Sequence, residues 1–90
     1  MKLVFEENQS VIYDEGKVAG YCSLVEEGDV WTIDHTVVEE SYQGQGLAKR
    51  LLYEVLEQAK KQHKKIVPQC SYAAHQFEKD ASIQELLKDN

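Results

Sequence analysis

The sequence of 90 residues is poor in cysteine and proline and has no long apolar run. Two cysteines, Cys22 and Cys70, are too few for a disulfide framework, which favours a reduced, cytoplasmic setting. No Pro-, Gly- or Ser-rich linker divides the chain, so residues 1–90 are predicted to form a single domain. No segment approaches the roughly 18 apolar residues of a membrane span, and the N-terminus lacks the apolar core of a signal peptide. We therefore expect no membrane attachment.

Positive charge is also scarce. The formal net charge is −6, which argues against a nucleic-acid partner because such a protein needs a basic face to displace counterions. The one basic run, residues 60–65, is typical of a solvated helix end. The three histidines and two cysteines show no spacing typical of a metal site, so no metal is expected.

Short apolar segments separated by turn residues fill the first half of the chain. Four strands are predicted, at 3–5, 10–13, 18–25 and 30–38. Their short connections favour an antiparallel meander. Strict alternation along the fourth strand would place four residues on one face, namely Trp31, Ile33, His35 and Val37. That face is otherwise apolar, so the histidine is unusually placed.

The pattern then changes to that of a helix. Apolar residues recur at spacings of three and four from Leu47 to Ala59, which predicts an amphipathic helix over about 46–63. A short strand follows at 65–68, and Ser71 is the predicted cap of a second helix through 72–77. Residues 83–87 are predicted to add a helical turn or two. The fold class is α+β: an antiparallel four-stranded meander, a long helix, a fifth short strand and one or two C-terminal helices.

The loop before the long helix contains two glycines, Gly44 and Gly46. Glycine adopts positive φ readily and lets the backbone approach a ligand closely. The first amides of a helix have no internal partner and carry partial positive charge, so the pattern predicts a phosphate or pyrophosphate site. A P-loop would need Lys and then Ser or Thr after Gly46, and a dinucleotide loop would need a βαβ unit. A tight turn that merely requires glycine is the alternative.

The hexapeptide Gln43-Gly44-Gln45-Gly46-Leu47-Ala48 resembles the cofactor loop of the GNAT (N-acetyltransferase) superfamily, Q/R-x-x-G-x-G/A. With Asp34-His35-Thr36 and Cys70-Ser71-Tyr72-Ala73, the chain looks like the small stand-alone bacterial branch of that superfamily. The resemblance covers essentially the whole chain and implies a minimal GNAT fold. Compared with full-length members, the helix pair after the first strand and the last two strands are missing, and these elements usually build the acceptor pocket.

The resemblance implies acetyl-CoA as the cofactor and assigns the residues that bind it. Backbone amides of Gln45, Gly46 and Leu47 would hold the pyrophosphate, with Gly44 and Ala48 beside them. Gln43 occupies the first position of the family pattern. Lys49 and Arg50, in the first helical turn, are candidates for the 3′-phosphate of the nucleotide, with simple surface solvation as the alternative.

Acetyl transfer to an amine needs a base for the amine proton and an acid for the leaving thiolate. Full GNAT enzymes often use a tyrosine as the acid, and Phe77 stands at that position here. Cys70, at a helix start that favours thiolate, is a candidate nucleophile, or it lies near the acetyl group without reacting. An inert, buried thiol is the third alternative for it. His35 is the candidate base or else a structural histidine, and His75 is a further candidate partner of the thiol.

The sequence thus predicts an N-acetyltransferase that takes the acetyl group from acetyl-CoA to an unknown amine acceptor, either a small amine or a protein lysine or N-terminus. An acyl-CoA-binding module or sensor with little turnover is the alternative, because Phe77 cannot donate a proton. A small interaction domain with a glycine turn is the third hypothesis. The oligomeric state is left open.

Overall fold

A computed structural model describes residues 1–89 of the chain; Asn90, the last residue of the predicted domain, lies outside the described residues. The strands are β1 (Lys2–Glu6), β2 (Gln9–Asp14), β3 (Lys17–Glu27), β4 (Val30–Val38) and β5 (Lys65–Pro68). The helices are α1 (Leu47–Lys61) and α2 (Ser71–Lys79), with 3₁₀ segments at Glu40–Tyr42 and Ala81–Leu86. The predicted α+β architecture is confirmed.

The five strands form one sheet in the order β1-β2-β3-β4-β5. Strands β1 to β4 pair antiparallel, as predicted, and β5 pairs parallel to β4. The parallel pairing extends only from Val30 to Ile33 of β4, opposite Lys65 to Pro68 of β5. Beyond Ile33 the two strands separate, and no strand formed by residues 1–89 lies beside residues 34–38 of β4 on that edge.

The apolar stripe of α1 packs across the sheet. Its buried residues are Leu47, Leu51, Leu52, Val55, Leu56 and Ala59. Burying each leucine contributes about 1.5–3 kcal/mol. The helix lies so close to β3 that a Cβ at Gly20 would stand 2.7 Å from the carbonyl oxygen of Val37 and 3.1 Å from Cδ1 of Leu51. Glycine is therefore required at position 20 for this packing.

Both helices lie on the same face of the sheet. The hydroxyl of Tyr53 on α1 donates a hydrogen bond to the carboxylate of Asp80, which ends α2. The 3₁₀ segment after Asp80 contacts both helices and contributes buried Ile83 and Leu86 to the core. Within the described residues, no helix is long and apolar enough to cross a membrane.

The predicted alternation along β4 was wrong after Ile33. Leu24 lies opposite Ile33 whereas Ser23 lies opposite His35, so Asp34 is an extra, bulged residue. One extra residue reverses the inward and outward positions that follow it. The His35 side chain is consequently 67% exposed, on the face opposite the helices, while Thr36 turns inward.

The cap of α2 also differs from the prediction by one residue. Cys70, rather than Ser71, is the N-cap, and its Sγ accepts the backbone amide hydrogen of Ala73 at 3.4 Å. The backbone amide of Cys70 in turn donates to the carbonyl oxygen of Ile33 at 3.0 Å. Cys70 is therefore fixed at the point where β4 and β5 begin to separate.

Candidate functional site

The loop that joins β4 to α1 leaves the first amides of the helix unpaired. Gly44 and Gly46 have φ values of +85° and +75°, and Gly46 is the N-cap of α1. The first intrahelical bond is that of the Arg50 amide to the Gly46 carbonyl, at 3.4 Å. Among residues 1–89, no carbonyl or side chain accepts a hydrogen bond from the backbone amides of positions 44–49.

Next to these amides lies a cleft of about 320 Å³, bounded by the start of α1, the start of α2 and the free edge of β4. Its lining residues are Thr36, Val38, Tyr42, Gln43, Gly44, Gly46, Leu47, Ala48, Lys49 and Tyr72. A Cβ added at either Gly44 or Gly46 would meet no protein atom within 4 Å. The space that these two glycines leave empty therefore faces the solvent side of the loop rather than another part of the protein.

Six of the eight residues that the sequence assigned to the cofactor line this cleft: Gln43, Gly44, Gly46, Leu47, Ala48 and Lys49. The side chains of Gln45 and Arg50 are exposed and lie outside the lining. Side-chain hydrogen bonds hold the loop in place, because Nε2 of Gln43 donates to the carbonyl oxygen of Val38 at 3.2 Å and the Tyr42 hydroxyl donates to Asp14 at 2.7 Å. Lys49 Nζ stands 5.6 Å from the ring centroid of Tyr53.

Cys70 is outside the cleft lining and lies behind the end of the cleft that Thr36 and Tyr72 form. Its half-buried Sγ is 3.4 Å from Oγ1 of Thr36, and Thr36 is part of the cleft wall. The same hydroxyl donates to Sγ of Cys22, also at 3.4 Å. Cys22 is fully buried, and burial raises the pKa of its thiol to about 11, so that Cys22 stays protonated at neutral pH.

His35 belongs to a separate polar cluster on the outer face of the sheet. The Ser23 hydroxyl donates to Asp34 Oδ1 at 2.6 Å, and Nδ1 of His35 lies 3.5 Å from Asp34 Oδ2. The Ser23 hydrogen bond and, more weakly, the neighbouring His35 hold the pKa of Asp34 below its usual value, so its carboxylate is charged at neutral pH. His35 and the Cys70 thiol therefore lie on opposite faces of the sheet, and the structure does not bring them together.

The reasoning from sequence missed three residues of the cleft, the apolar Val38 and the hydroxyl-bearing Thr36 and Tyr72. Thr36 was expected on the opposite face from the one it occupies, and Tyr72 was not considered for a role in the cleft. Tyr72 is half-buried, burial raises the pKa of its phenol, and within residues 1–89 its hydroxyl has no hydrogen-bond partner. Its position two residues after Cys70, in the first turn of α2, was the available signal. Phe77 is buried in the core, and His75 is exposed on α2.

Comparisons with known proteins show which family and fold this chain resembles. A family model described as GCN5-related N-acetyl-transferase matches residues 9–86. The NMR structure of a GCN5-like protein from Staphylococcus aureus is 33% identical, with a TM-score of 0.77 over 96% of this chain and 86% of that one. No curated protein matches the chain.

Larger solved structures share part of the fold. A GNAT family N-acetyltransferase from Escherichia coli in complex with CoA is 30% identical, with a TM-score of 0.58 over 64% of this chain and 37% of that one. An N-acetylglutamate synthase from Neisseria gonorrhoeae, complexed with coenzyme A and N-acetyl-glutamate, is 21% identical, with a TM-score of 0.59 over 66% of this chain and 15% of that one. The chain thus spans well under half of these two proteins, and the second likeness concerns the fold alone.

Proposed function

The chain belongs to the GCN5-related N-acetyltransferase (GNAT) family, and we propose that it binds acetyl-CoA in the cleft and transfers the acetyl group to an amine. The observation that carries this proposal is the set of unpaired amides at the start of α1, which border the cleft. The E. coli relative, which binds CoA, supports the same cofactor here. The minimal GNAT fold predicted from the sequence is confirmed.

Pyrophosphate is the part of the cofactor that suits this loop best. We assign the amides of Gln45, Gly46 and Leu47 as its donors, with those of Gly44 and Ala48 beside them. These amides have no internal partner, and the helix dipole adds positive potential at the same place. A hydrogen bond to a charged oxygen contributes about 1.5–3 kcal/mol. The open space at the two glycines lets an anion reach the backbone.

The rest of the cofactor would extend along the cleft in both directions. At one end, Lys49 suits the 3′-phosphate better than Arg50, because Lys49 lines the cleft and Arg50 does not. Towards Cys70, the free edge of β4 offers backbone groups at positions 34–38 to which the amides of the pantetheine arm can bond. This orientation brings the thioester to Thr36 and Cys70.

Two routes of transfer are open at Cys70. In the covalent route, the Cys70 thiolate attacks the acetyl carbon, the bond from that carbon to the CoA sulfur breaks, and CoA leaves as a thiolate. The amine acceptor then attacks the new thioester and regenerates Cys70. In the direct route, the amine attacks acetyl-CoA itself and Cys70 is only a neighbour of the acetyl group. The contact of Cys70 with the cleft residue Thr36 is compatible with both routes.

Proton transfer is assigned to His35 and Tyr72. His35 follows the bulge at the opening between β4 and β5, and the charged carboxylate of Asp34 can hold its ring. In this role His35 would take a proton from an amine that approaches from the outer face of the sheet, although the Cys70 thiol lies on the other face. Tyr72 lies in the cleft with a protonated hydroxyl that has no partner in the described part of the chain, and it would protonate the CoA sulfur, a role closed to Phe77.

A second candidate function is an acyl-CoA-binding module or sensor with little turnover. The position of His35 favours it, because the only catalytic base predicted from the sequence lies on the other face of the sheet from Cys70. The two functions share the cofactor and differ in what happens at the acetyl group. The identity of the amine and a cytoplasmic location remain predictions.

Titration with acetyl-CoA, followed by the amide chemical shifts of the ¹⁵N-labelled protein, tests cofactor binding. We expect the largest shifts at Gly44 to Lys49, with a second group at Thr36 and Cys70. The absence of any change at millimolar acetyl-CoA would refute both candidate functions at once.

Mass spectrometry of the intact protein after incubation with acetyl-CoA separates the two routes. The covalent route predicts one acetyl adduct that is absent in Cys70→Ser. An adduct that persists in this variant would exclude Cys70 as the acceptor. Addition of a panel of peptides and polyamines then distinguishes the enzyme, which loses the adduct and acetylates an amine, from a module that does neither.

A further inference from the structure

The thiol of Cys70 has an unusual set of neighbours for a candidate nucleophile. Within residues 1–89 its Sγ contacts two hydrogen-bonding groups, the Thr36 hydroxyl and the Ala73 amide, each at 3.4 Å. Neither group is a base. Both can donate a hydrogen bond to the sulfur.

The Thr36 hydroxyl has a single hydrogen and lies between two sulfur atoms. In the structure it donates to Cys22 Sγ at 3.4 Å, and Cys70 Sγ lies at the same distance from the hydroxyl, where either atom can be the donor. A hydroxyl can rotate about its C–O bond, so this hydrogen can be directed to either sulfur. Cys22, fully buried with its pKa raised to about 11, keeps its own proton at neutral pH. Cys22 therefore competes for the Thr36 hydrogen only as a neutral thiol.

We propose that Thr36 is a positioning residue for Cys70. When Cys70 loses its proton, the Thr36 hydroxyl turns its hydrogen from Cys22 to Cys70. This hydrogen bond stabilises the Cys70 thiolate and increases the fraction of Cys70 that is ionised. The Cys70 proton passes to solvent, and the Thr36 hydrogen remains on its own oxygen throughout. In the covalent route the sulfur then bonds to the acetyl carbon, and the hydroxyl is free to return to Cys22. The catalytic use of this thiolate rests on the proposed function, but the effect of Thr36 on Cys70 can be measured without any cofactor.

Other charged and titratable groups lie on the elements packed around this sulfur. On β3, Cys22 is neutral; on β4, the Asp34 carboxylate opposes a thiolate. On α2, Tyr72 is a neutral phenol, and on α1, Lys49 faces the same cleft and favours a thiolate. A substitution of Thr36 leaves all of these groups in place, so it isolates the hydrogen bond from the Thr36 hydroxyl.

The pH dependence of Cys70 alkylation by iodoacetamide tests this inference, with peptide mass mapping to distinguish Cys70 from Cys22. Thr36→Val removes the hydroxyl and keeps the side-chain shape. We expect it to raise the midpoint of the alkylation profile by about one pH unit, which slows alkylation about tenfold near neutral pH because the thiolate reacts. Thr36→Ser keeps the hydroxyl and is expected to retain the wild-type midpoint. A midpoint in Thr36→Val that equals that of the wild type would overturn the proposal.

Two further variants test the proposal if Thr36→Val does not fold, and test whether His75 rather than Thr36 controls the Cys70 thiol. Cys22→Ala removes the competing acceptor, so the midpoint is expected to fall; an unchanged midpoint would contradict the shared hydrogen even if Thr36→Val failed to fold. His75→Gln alters an exposed residue of α2 and is expected to have no effect. If the alkylation midpoint of His75→Gln shifted as much as is expected for Thr36→Val, His75 rather than Thr36 would control the ionisation of Cys70. Because no acetyl-CoA is present, these outcomes are independent of whether the chain binds the cofactor.

Discussion

The two ends of the cleft differ in the kind of atoms that they present. At the loop end, from Gly44 to Lys49, the groups available to a ligand are backbone amides, and the side chains mostly fix the loop to β2 and β4. At the other end, here called the acyl end, the cleft presents the Thr36 hydroxyl and the Tyr72 phenol, with the Cys70 thiol in contact with Thr36. In the proposed function, the backbone amides would bind the anion and the side chains would act at the acetyl group.

This difference determines which substitutions abolish the function of each end of the cleft. A backbone site tolerates changes of side chain and fails when a new Cβ changes the backbone or fills the space in front of it. A side-chain site fails when one polar atom is removed, even though the fold is unchanged. Substitutions at the two ends should therefore separate affinity for the cofactor from chemistry at the acetyl group.

The largest effect is expected at the acyl end. Cys70→Ala removes the sulfur that would carry the acetyl group, and the covalent route predicts that transfer to the amine falls at least about 100-fold. The affinity for CoA, measured by calorimetry, should change less than twofold, because the loop amides are untouched. Loss of the helix cap should lower the free energy of unfolding by about 1 kcal/mol, as measured by urea denaturation. A parallel loss of affinity and transfer would contradict the separation of the two ends.

At the loop end, Gly46→Val is expected to weaken CoA binding at least about 30-fold, equivalent to about 2 kcal/mol, since at least one hydrogen bond to a charged oxygen is lost. Position 46 has φ +75° and no neighbouring protein atom, so the variant combines backbone strain with a side chain in the ligand's space.

Gly28→Val is the matched control for that variant. Gly28 has φ +61° and equally open surroundings, but it lies in the turn between β3 and β4, outside the cleft. It should lose similar stability, on the order of 1–2 kcal/mol, and keep its affinity for CoA. Equal loss of affinity in both variants would show that strain alone, rather than the ligand's approach to the loop, is responsible.

Lys49→Ala is expected to have an intermediate effect, a loss of CoA affinity of about fivefold, since an exposed ion pair contributes at most about 1 kcal/mol. The loss should disappear when dephospho-CoA, which lacks the 3′-phosphate, replaces CoA. Arg50→Ala alters a cation outside the cleft lining and should bind both ligands like the wild type. If Arg50→Ala had the larger effect, the assignment of the 3′-phosphate would pass to Arg50.

Tyr53→Phe is expected to have the smallest effect on cofactor binding and on acetyl transfer. This substitution removes the hydrogen bond between α1 and the end of α2. At neutral pH, it should lower the free energy of unfolding by about 1 kcal/mol. Burial and Asp80 raise the pKa of Tyr53 from 10.0 to about 12. The Tyr53 hydroxyl therefore contributes fully to the free energy of unfolding below pH 10. This contribution is lost as the pH rises towards 12, because Tyr53 ionises at a lower pH in the unfolded chain than in the folded one. Urea denaturation between pH 7 and 12 should show a shallower alkaline decline in the variant, with CoA affinity changed less than twofold.

The sequence was sufficient for the fold and for the loop. The spacing of Leu47 to Ala59 predicted α1 within two residues at each end, and the two glycines before it predicted where unpaired amides would lie. Both signals are local, since they depend on helix period and on backbone freedom at single positions. Both predictions agree with the structure because tertiary packing favours the same helix and the same loop geometry as the local sequence does.

The acyl end was predicted less well, since it depends on pairing between strands. Residues Val37 and Val38 are both apolar, so either phase of alternation buries a valine, and the sequence does not indicate the bulge at Asp34. That bulge sends His35 outward and brings Thr36 to Cys70. The cap at Cys70 was likewise missed because Ser71, next to it, is the commoner capping residue.

A crystal structure of the protein grown with acetyl-CoA tests the central claim most directly. The account predicts the pyrophosphate oxygens within about 3 Å of the amides of Gly46 and Leu47 and the acetyl carbon beside Cys70 Sγ. Electron density for the cofactor elsewhere on the chain, with the amides at the start of α1 still bound only to water, would contradict it.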